Sequence, residues 1–243
     1  MTGTGPLGHP RLHLRRTTST NERARALAAG GAPHGTLVTA AEQTAGRGRQ
    51  GRTWTAPPGR GLLCSVVVRD PPRLLPLAAG AAVADAVDRA VAGSRERPRG
   101  AQIKWPNDVL LRGGKVAGIL VEGRPQERWA VVGIGLNVAV APSDFPPELA
   151  GRAATLGLGH EAIEPTLRDL LARLEHWLAA DAETLLAEIR ARDALLGRPV
   201  RWAGEEGRGD GIDGDGRLVV ITPGGGRVAL DAGEVHLRGP EGS

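Results

Sequence analysis

Hydrophobic and polar positions along the chain follow two periods, and these periods locate most of the elements. Helical spacing of apolar residues predicts helices from the Ser19–Asn21 cap through Ala29, over 75–92 up to Gly93, from Pro165 through Leu178 and over 182–196. Short apolar segments predict strands at 11–16, 36–41, 61–68, 101–104, 109–111, 116–122 and 129–138. The run at 61–68 is continuously apolar, so we expect that strand to be buried on both faces.

The pattern changes after Gly197. Five short alternating segments follow, PVRW, GRGDGID, RLVVIT, RVALD and EVHLR, separated by glycine-rich turns. They predict a small β-barrel whose first hairpin, Arg201 to Ile212, is short. We therefore expect a flexible tail over 1–10, an α/β (α+β) main domain with a mixed sheet over 11–196, and a small β domain over 197–243.

Composition narrows the class of protein. A chain of 243 residues with 41% hydrophobic and 24% charged residues is typical of a globular protein with a full core. The pI of about 10.4 is weak evidence for a nucleic-acid partner, because without tyrosine a net charge of +4 suffices to raise it. Aromatic residues at 2% argue against a base-stacking surface.

Cysteine content and hydropathy indicate the compartment. Cys64 is the single cysteine, which excludes internal disulfides and cysteine-rich zinc sites. The chain lacks an apolar signal core and any stretch near the ~18 apolar residues of a membrane span. We therefore expect a cytoplasmic enzyme with no membrane partner.

Lysine is the rarest positive charge. Lys104 and Lys115 are the two lysines, so 29 of the 31 basic residues (31 minus 2) are arginines. Both lysines lie in one segment, KWPNDVLLRGGKVAGILVEG. Lysine is a compact point charge, whereas arginine is a planar fork, so lysine is retained where one ammonium must meet an oxygen end-on. Two lysines in one segment predict a site, with chance survival on a solvated strand as the alternative.

The segment GRGRQGRTW, residues 46–54, predicts an anion-binding loop. Its glycines allow close backbone approach, and Arg47, Arg49 and Arg52 offer paired donors to carboxylate or phosphate oxygens. It lacks the Gly-Lys-Ser/Thr ending of a Walker loop. A mobile basic turn is the alternative for the loop, and a core position is the alternative for Trp54, whose indole would otherwise stack on a purine.

Two further motifs complete the candidate site. In KWPNDVLL, Asn107 and Asp108 are placed to bind a nucleotide or its Mg²⁺, unless they only form a turn between strands. GIGLNV, residues 133–138, ends a strand with two glycines that permit close passage of a ligand, and it is not a dinucleotide fingerprint. Neither Ser65 nor Ser143 has a partnered histidine in a known motif. The chemistry indicated is electrostatic, as in displacement at phosphorus.

These motifs resemble one family. STN (19–21), EQTAGRGRQGRTW (42–54), KWPNDVLLRGGKVAGILVE (104–122) and GIGLNV (133–138) are similar, in order and spacing, to the biotin protein ligases. The end of the chain, from GRPV to EVHLR, resembles that family's SH3-like barrel. The resemblance implies a biotin/lipoate ligase-like fold. It also implies ATP-dependent formation of biotinyl-5′-AMP with release of pyrophosphate, and transfer of biotin to a lysine of a biotin carboxyl carrier domain.

The resemblance also implies roles for individual residues. Lys115 and Arg49 would be catalytic, with Lys115 bridging the biotin carboxylate and the α-phosphate. The residues implied around biotin are Ser19, Thr20, Asn21, Gln43, Arg47, Gly48, Arg49, Lys115, Gly133 and Gly135. Those implied on the ATP side are Arg49, Arg52, Trp54, Lys104, Asn107, Asp108, Lys115 and Asn137. Asp108 is the candidate ligand for Mg²⁺.

Three alternatives remain. A lipoate or octanoate ligase or transferase would share the catalytic domain, although the Gly/Arg loop and KWPND favour biotin. A biotin-dependent regulator is disfavoured because the pattern begins at about Ser19, so we expect the ligase-only type with no DNA partner. A basic RNA-binding protein is disfavoured by the shortage of aromatics. Monomer and homodimer both remain open.

Overall fold

The computed structural model describes residues 6–92, 100–231, 233 and 235–237, and it divides them between two sheets. The larger is a mixed seven-stranded sheet in the order β1-β2-β3-β7-β6-β5-β4, in which β1 and β2 are parallel and the other pairs antiparallel. Its strands are β1 (Arg11–Leu14), β2 (Leu37–Ala40), β3 (Gly61–Arg69), β4 (Gln102–Lys104), β5 (Asp108–Leu111), β6 (Gly114–Arg124) and β7 (Trp129–Asn137). The predicted mixed-sheet fold is confirmed.

In the described part of the chain, four α-helices cover this sheet: α1 (Thr20–Ala29), α2 (Leu75–Val91), α3 (Ile163–Ala179) and α4 (Ala182–Ala191). The main core joins α2, α3 and α4 to one face of the sheet. A smaller cluster packs α1 on the other face, through Ala24 and Ala28 against Val67 and Val131. Gly61 to Val68 of β3 are all buried, which confirms burial on both faces. Among the described residues, no helix combines the length and apolar character needed to cross a bilayer.

The helix α4 is shorter than predicted. We expected it to reach residue 196, but it ends at Ala191. The chain turns at Arg192 and then forms a bridge with β4, since Ile103 N–H donates to the Arg192 carbonyl at 2.8 Å and Ala194 N–H donates to the Ile103 carbonyl at 3.0 Å. This pairing covers the edge of β4, and a contact made between residues 90 positions apart overrides the local helical pattern.

Arg192 anchors this junction. Its side chain is 18% exposed and forms ion pairs with Asp85 at 2.9 Å, with Asp88 at 2.5 Å and with Glu188. The same guanidinium donates to the Ala101 carbonyl at 3.1 Å. One arginine therefore ties α2, α4 and the start of β4 together.

The prediction of a flexible tail over 1–10 is wrong for its second half. Leu7 is 6% exposed, its N–H donates to the Glu175 carboxylate, and Gly8 N–H donates to the Gly35 carbonyl at 2.8 Å. Residues 1–5 lie outside the described residues. So do Gly93, the predicted end of α2, and Glu234 and Arg238 of the final predicted strand.

The second sheet forms the small C-terminal β domain. Its strands are antiparallel, in the order β11-β10-β9-β8-β12. They are β8 (Pro199–Trp202), β9 (Glu205–Ile212), β10 (Leu218–Ile221), β11 (Arg227–Leu230) and β12 (His236–Leu237). The prediction of five strands is confirmed. Trp105 Nε1 donates to the Gly216 carbonyl at 3.0 Å, and Arg190 donates to the Ile212 carbonyl at 2.7 Å, so this domain is fastened to the main one.

Candidate active site

One cavity of about 910 Å³ lies on the α1 face of the large sheet. The start of α1, the Gly/Arg loop, β6, β7, the turn before β5, residues 144–153 and the C-terminal β12 surround it. Every site residue predicted from the sequence lines this cavity: Ser19, Thr20, Asn21, Gln43, Arg47, Gly48, Arg49, Arg52, Trp54, Lys104, Asn107, Asp108, Lys115, Gly133, Gly135 and Asn137. Motifs that lie up to 118 positions apart in sequence therefore meet at one place.

The two lysines meet at one carboxylate. Lys115 Nζ lies 2.7 Å from Asp108 Oδ1, and Lys104 Nζ lies 3.9 Å from Asp108 Oδ2. The Asp108 side chain is 11% exposed, while that of Lys115 is 32% exposed. Two ammonium groups beside one carboxylate leave a net positive charge at this end of the cavity, which favours an anionic ligand.

The turn between β4 and β5 is held from two sides. Asn107 Nδ2 donates to the Ile119 carbonyl at 3.0 Å, and Ile119 N–H donates back to the Asn107 carbonyl at 2.9 Å. Arg49 of the Gly/Arg loop donates to Asn107 Oδ1 at 3.3 Å. The loop therefore already touches the segment that carries Lys104 and Asp108.

The Gly/Arg loop folds back on itself over the cavity. Gly48 N–H donates to the Arg52 carbonyl at 2.6 Å, and Trp54 N–H donates to the Gly46 carbonyl at 3.0 Å. Between these bonds the chain makes a single 3₁₀ turn over Arg49–Gly51. The arginines of the loop are thus held on a short hairpin at the rim of the cavity.

Trp54 lies inside the cavity, against two backbone glycines. A Cβ atom at Gly135 would come within 2.4 Å of the indole, and one at Gly118 within 3.1 Å, so glycine is required at Gly135 for this approach. The Lys115 ammonium is 5.7 Å from the ring centroid, within the range of a cation–π contact. Trp54 Nε1 is buried and has no hydrogen-bond partner among the described residues. The core alternative for Trp54 is therefore wrong, because its ring forms part of the cavity wall.

The opposite end of the cavity is lined by uncharged polar side chains. The Gln43 carbonyl oxygen accepts from Thr20 N–H at 2.7 Å, and Asn21 Nδ2 donates to Glu122 Oε2 at 2.8 Å. Ser65 Oγ lies 2.8 Å from Thr20 Oγ1 and 2.7 Å from Asn21 Oδ1. Gly133 makes room for this arrangement, since a Cβ atom there would come within 2.0 Å of Asn21 Oδ1.

Several residues at this site were not predicted from the sequence. Ser65, which contacts Thr20 and Asn21, is the one polar residue in the apolar run LLCSVVV, and that was the available signal. Asp144, Phe145, Leu149 and Arg152, on the segment after β7, line the cavity.

Backbone pairing holds the segment after β7 in place. Lys115 N–H donates to the Arg152 carbonyl, and Ala154 N–H donates to the Lys115 carbonyl, both at 2.8 Å. Asn137 Nδ2 donates to the Ala154 carbonyl at 2.9 Å. The Asn137 amide group therefore supports this segment. His236 and Leu237 of the C-terminal domain complete the lining.

Comparisons with known proteins give the family. Residues 13–138 match the biotin/lipoate A/B protein ligase family. The biotin–[acetyl-CoA-carboxylase] ligase of Mycobacterium tuberculosis is 41% identical over 91% of this chain and 87% of its own length. The ligase of the same name from Paracoccus denitrificans is 39% identical over 93% and 100%. The structure of the biotin protein ligase of Aquifex aeolicus in complex with biotin and ATP superposes with a TM-score of 0.78, at 29% identity, over 95% of this chain and 99% of that one. The chain therefore belongs to the biotin/lipoate A/B protein ligase family.

Proposed function

We propose that this protein is an ATP-dependent biotin ligase. It activates biotin as biotinyl-5′-AMP with release of pyrophosphate, and then transfers the biotinyl group to a lysine of a biotin carboxyl carrier domain. The observation that carries this proposal is one cavity with two unlike ends, a neutral polar end at Thr20, Asn21 and Gln43 and a cationic end at Lys104 and Lys115. A volume of about 910 Å³ is at the upper end for small-molecule sites and suits an acid and a nucleotide together.

In the first step, a carboxylate oxygen of biotin bonds to the α-phosphorus of ATP. The bond from that phosphorus to the bridging oxygen breaks, and pyrophosphate leaves with its electron pair. Negative charge builds up on the phosphate oxygens as this happens. Lys115 supports this step because its ammonium has three donors, so it keeps its bond to Asp108 while it meets the carboxylate and the α-phosphate.

Biotin lies with its head at the polar end and its carboxylate towards Lys115. Ser19, Thr20, Asn21 and Gln43 surround the head, and the backbone at Gly133 and Gly135 flanks it. Arg47, Gly48 and Arg49 of the Gly/Arg loop close over the carboxylate. The nucleotide takes the other end of the cavity, against Arg52, Trp54, Lys104, Asn107, Asp108 and Asn137.

The residues present fit a magnesium ion held mainly by ATP. Asp108 and Asp144 are the carboxylates among the lining residues, and the described part of the chain contains no group of three or more His, Cys, Asp or Glu side chains placed to hold a metal. Mg²⁺ commonly binds one or two carboxylates, with phosphate oxygens and water completing its shell, so Asp108 would hold it. When bound, Mg²⁺ neutralises charge on the phosphates.

In the second step, the amine of the carrier lysine attacks the carbonyl carbon of the mixed anhydride. An amide bond forms as the bond between the carbonyl carbon and the phosphate oxygen breaks. AMP leaves with the electron pair of that bond, and the amine gives up a proton. The Arg49 contact with Asn107 gives the Gly/Arg loop a defined position over the cavity, which shields the anhydride from water until the carrier arrives.

The complete reaction tests the proposal. The purified protein is incubated with biotin, Mg-ATP and a biotin carboxyl carrier domain, and the intact mass of the carrier is followed. A carrier domain in which the acceptor lysine is replaced by arginine is the matched control. We expect the parent carrier alone to gain one biotinyl group, in an ATP-dependent manner. A carrier mass that does not change would refute the proposal.

A further inference from the structure

A buried hydroxyl lies beneath the polar end of the cavity. Ser65 is fully buried on β3, opposite Gly133 of β7 in the register of the sheet. Its Oγ lies 2.8 Å from Thr20 Oγ1 and 2.7 Å from Asn21 Oδ1, so one side chain touches two residues at the start of α1. Because Ser65 has no exposed surface, any effect it has on a ligand must pass through these two neighbours.

The orientation of the Asn21 amide follows from its other partners. Asn21 Nδ2 donates to Glu122 Oε2 at 2.8 Å and to the Leu120 carbonyl at 3.3 Å, and both of these oxygens can only accept. Arg25, one turn further along α1, holds Glu122 Oε1 at 3.0 Å. The Asn21 oxygen therefore faces Ser65 and accepts from its hydroxyl.

The direction of the Thr20 hydroxyl follows in turn. The Gln43 oxygen has two lone pairs, and it accepts both the Thr20 backbone N–H at 2.7 Å and the Thr20 hydroxyl at 3.0 Å. Thr20 Oγ1 is therefore an acceptor towards Ser65, whose hydroxyl donates towards Thr20 Oγ1 at 2.8 Å and Asn21 Oδ1 at 2.7 Å. Such networks strengthen each member.

We propose that Ser65 is a positioning residue for the head group of the acid substrate. By donating to Thr20 and Asn21 from below the cavity, it holds both side chains in place and leaves their remaining lone pairs as hydrogen-bond acceptors. A cyclic urea, such as the head of biotin, has N–H groups that match these acceptors. A dithiolane or an alkyl chain has no such donors. This proposal rests on the proposed function and adds the group that sets its selectivity.

Calorimetric titration with biotin in the absence of ATP tests this role, since it requires no turnover. Ser65→Ala removes one oxygen atom, and Cys64→Ala is the matched control. Cys64 is the neighbour of Ser65 on β3; it is also fully buried, but its side chain belongs to the core on the other face of the sheet. We expect the biotin Kd of Ser65→Ala to rise about tenfold, which is the effect of losing roughly one hydrogen bond. The Kd of Cys64→Ala should stay within about twofold of the parent.

A second variant separates positioning from general damage to the fold. Ser65→Cys keeps the shape of the side chain but offers only a weak donor, so its Kd should fall between those of the parent and Ser65→Ala. The KM for ATP should be unchanged in all three variants. The proposal is overturned if Ser65→Ala and Ser65→Cys bind biotin as the parent does, or if Cys64→Ala weakens biotin binding equally. A parent protein that binds biotin but forms no adenylate would instead overturn the proposed function.

Discussion

Replacement of Lys115 by alanine is the sharpest probe of the cationic end of the cavity. The Lys115 ammonium lies 2.7 Å from Asp108 in a partly buried setting. Two unit charges about 4 Å apart interact by about 4 kcal/mol at an effective dielectric constant of about 20. Loss of a donor that stabilises charge in a transition state typically lowers kcat by about 10² to 10³. Lys115→Ala also leaves the Asp108 carboxylate facing the phosphates with Lys104 at 3.9 Å, so we expect the upper end of that range.

Rapid-quench measurement of biotinyl-AMP formation gives the rate of this step, and calorimetry without ATP gives biotin binding. Lys115 meets the biotin carboxylate but not the head group at the polar end, so the biotin Kd should rise by about tenfold at most, far less than the rate falls. Lys115→Arg keeps the charge but replaces a point charge with a planar fork, and it should remain at least about tenfold slower than the parent. A variant Lys115→Ala that forms biotinyl-AMP at the parent rate would refute this account of the site.

Three further predictions address the polar end, the junction of the domains and the core. Gly133→Ala places a methyl group 2.0 Å from Asn21 Oδ1 and should weaken biotin binding at least about tenfold in calorimetry, with the KM for ATP preserved; equal weakening for both ligands would contradict it. Arg192→Ala leaves the carboxylates of Asp85, Asp88 and Glu188 without their shared partner. It should lower the free energy of unfolding by about 3 kcal/mol in urea denaturation. A loss below about 1 kcal/mol would show that the cluster contributes little to stability. Burial raises the pKa of the Cys64 thiol from 9.0 to about 12, so the native state holds a proton that the unfolded chain releases. The free energy of unfolding should therefore fall from about pH 9 upwards, by up to about 1.4 kcal/mol per pH unit, and this slope should be absent in Cys64→Ala.

Local pattern was sufficient for most of the elements and for the two lysines of the site. The apolar run of β3 predicted a strand buried on both faces, because such a run fits a strand covered by helices. The retention of lysine at Lys104 and Lys115 pointed to a place where a compact charge is needed, and both ammonium groups lie against Asp108. These features depend on residues close in sequence.

Long-range contacts account for what the sequence did not reveal. The end of α4 at Ala191 depends on pairing with β4, and the burial of Leu7 depends on its contact with Glu175, 168 positions away. The role of Ser65 depends on the register that places it opposite Gly133 and on α1 above it. The polarity of Ser65 within an apolar run is the one local signal among these arrangements.

Mass spectrometry of the first half-reaction tests the central claim most directly. The purified protein is incubated with Mg-ATP and, in separate samples, with biotin, lipoate or octanoate, and each sample is analysed for acyl-AMP and pyrophosphate. The account predicts biotinyl-AMP and pyrophosphate from biotin, and no adenylate from the other two acids. Lipoyl-AMP or octanoyl-AMP as the main product, or no adenylate from any acid, would contradict it.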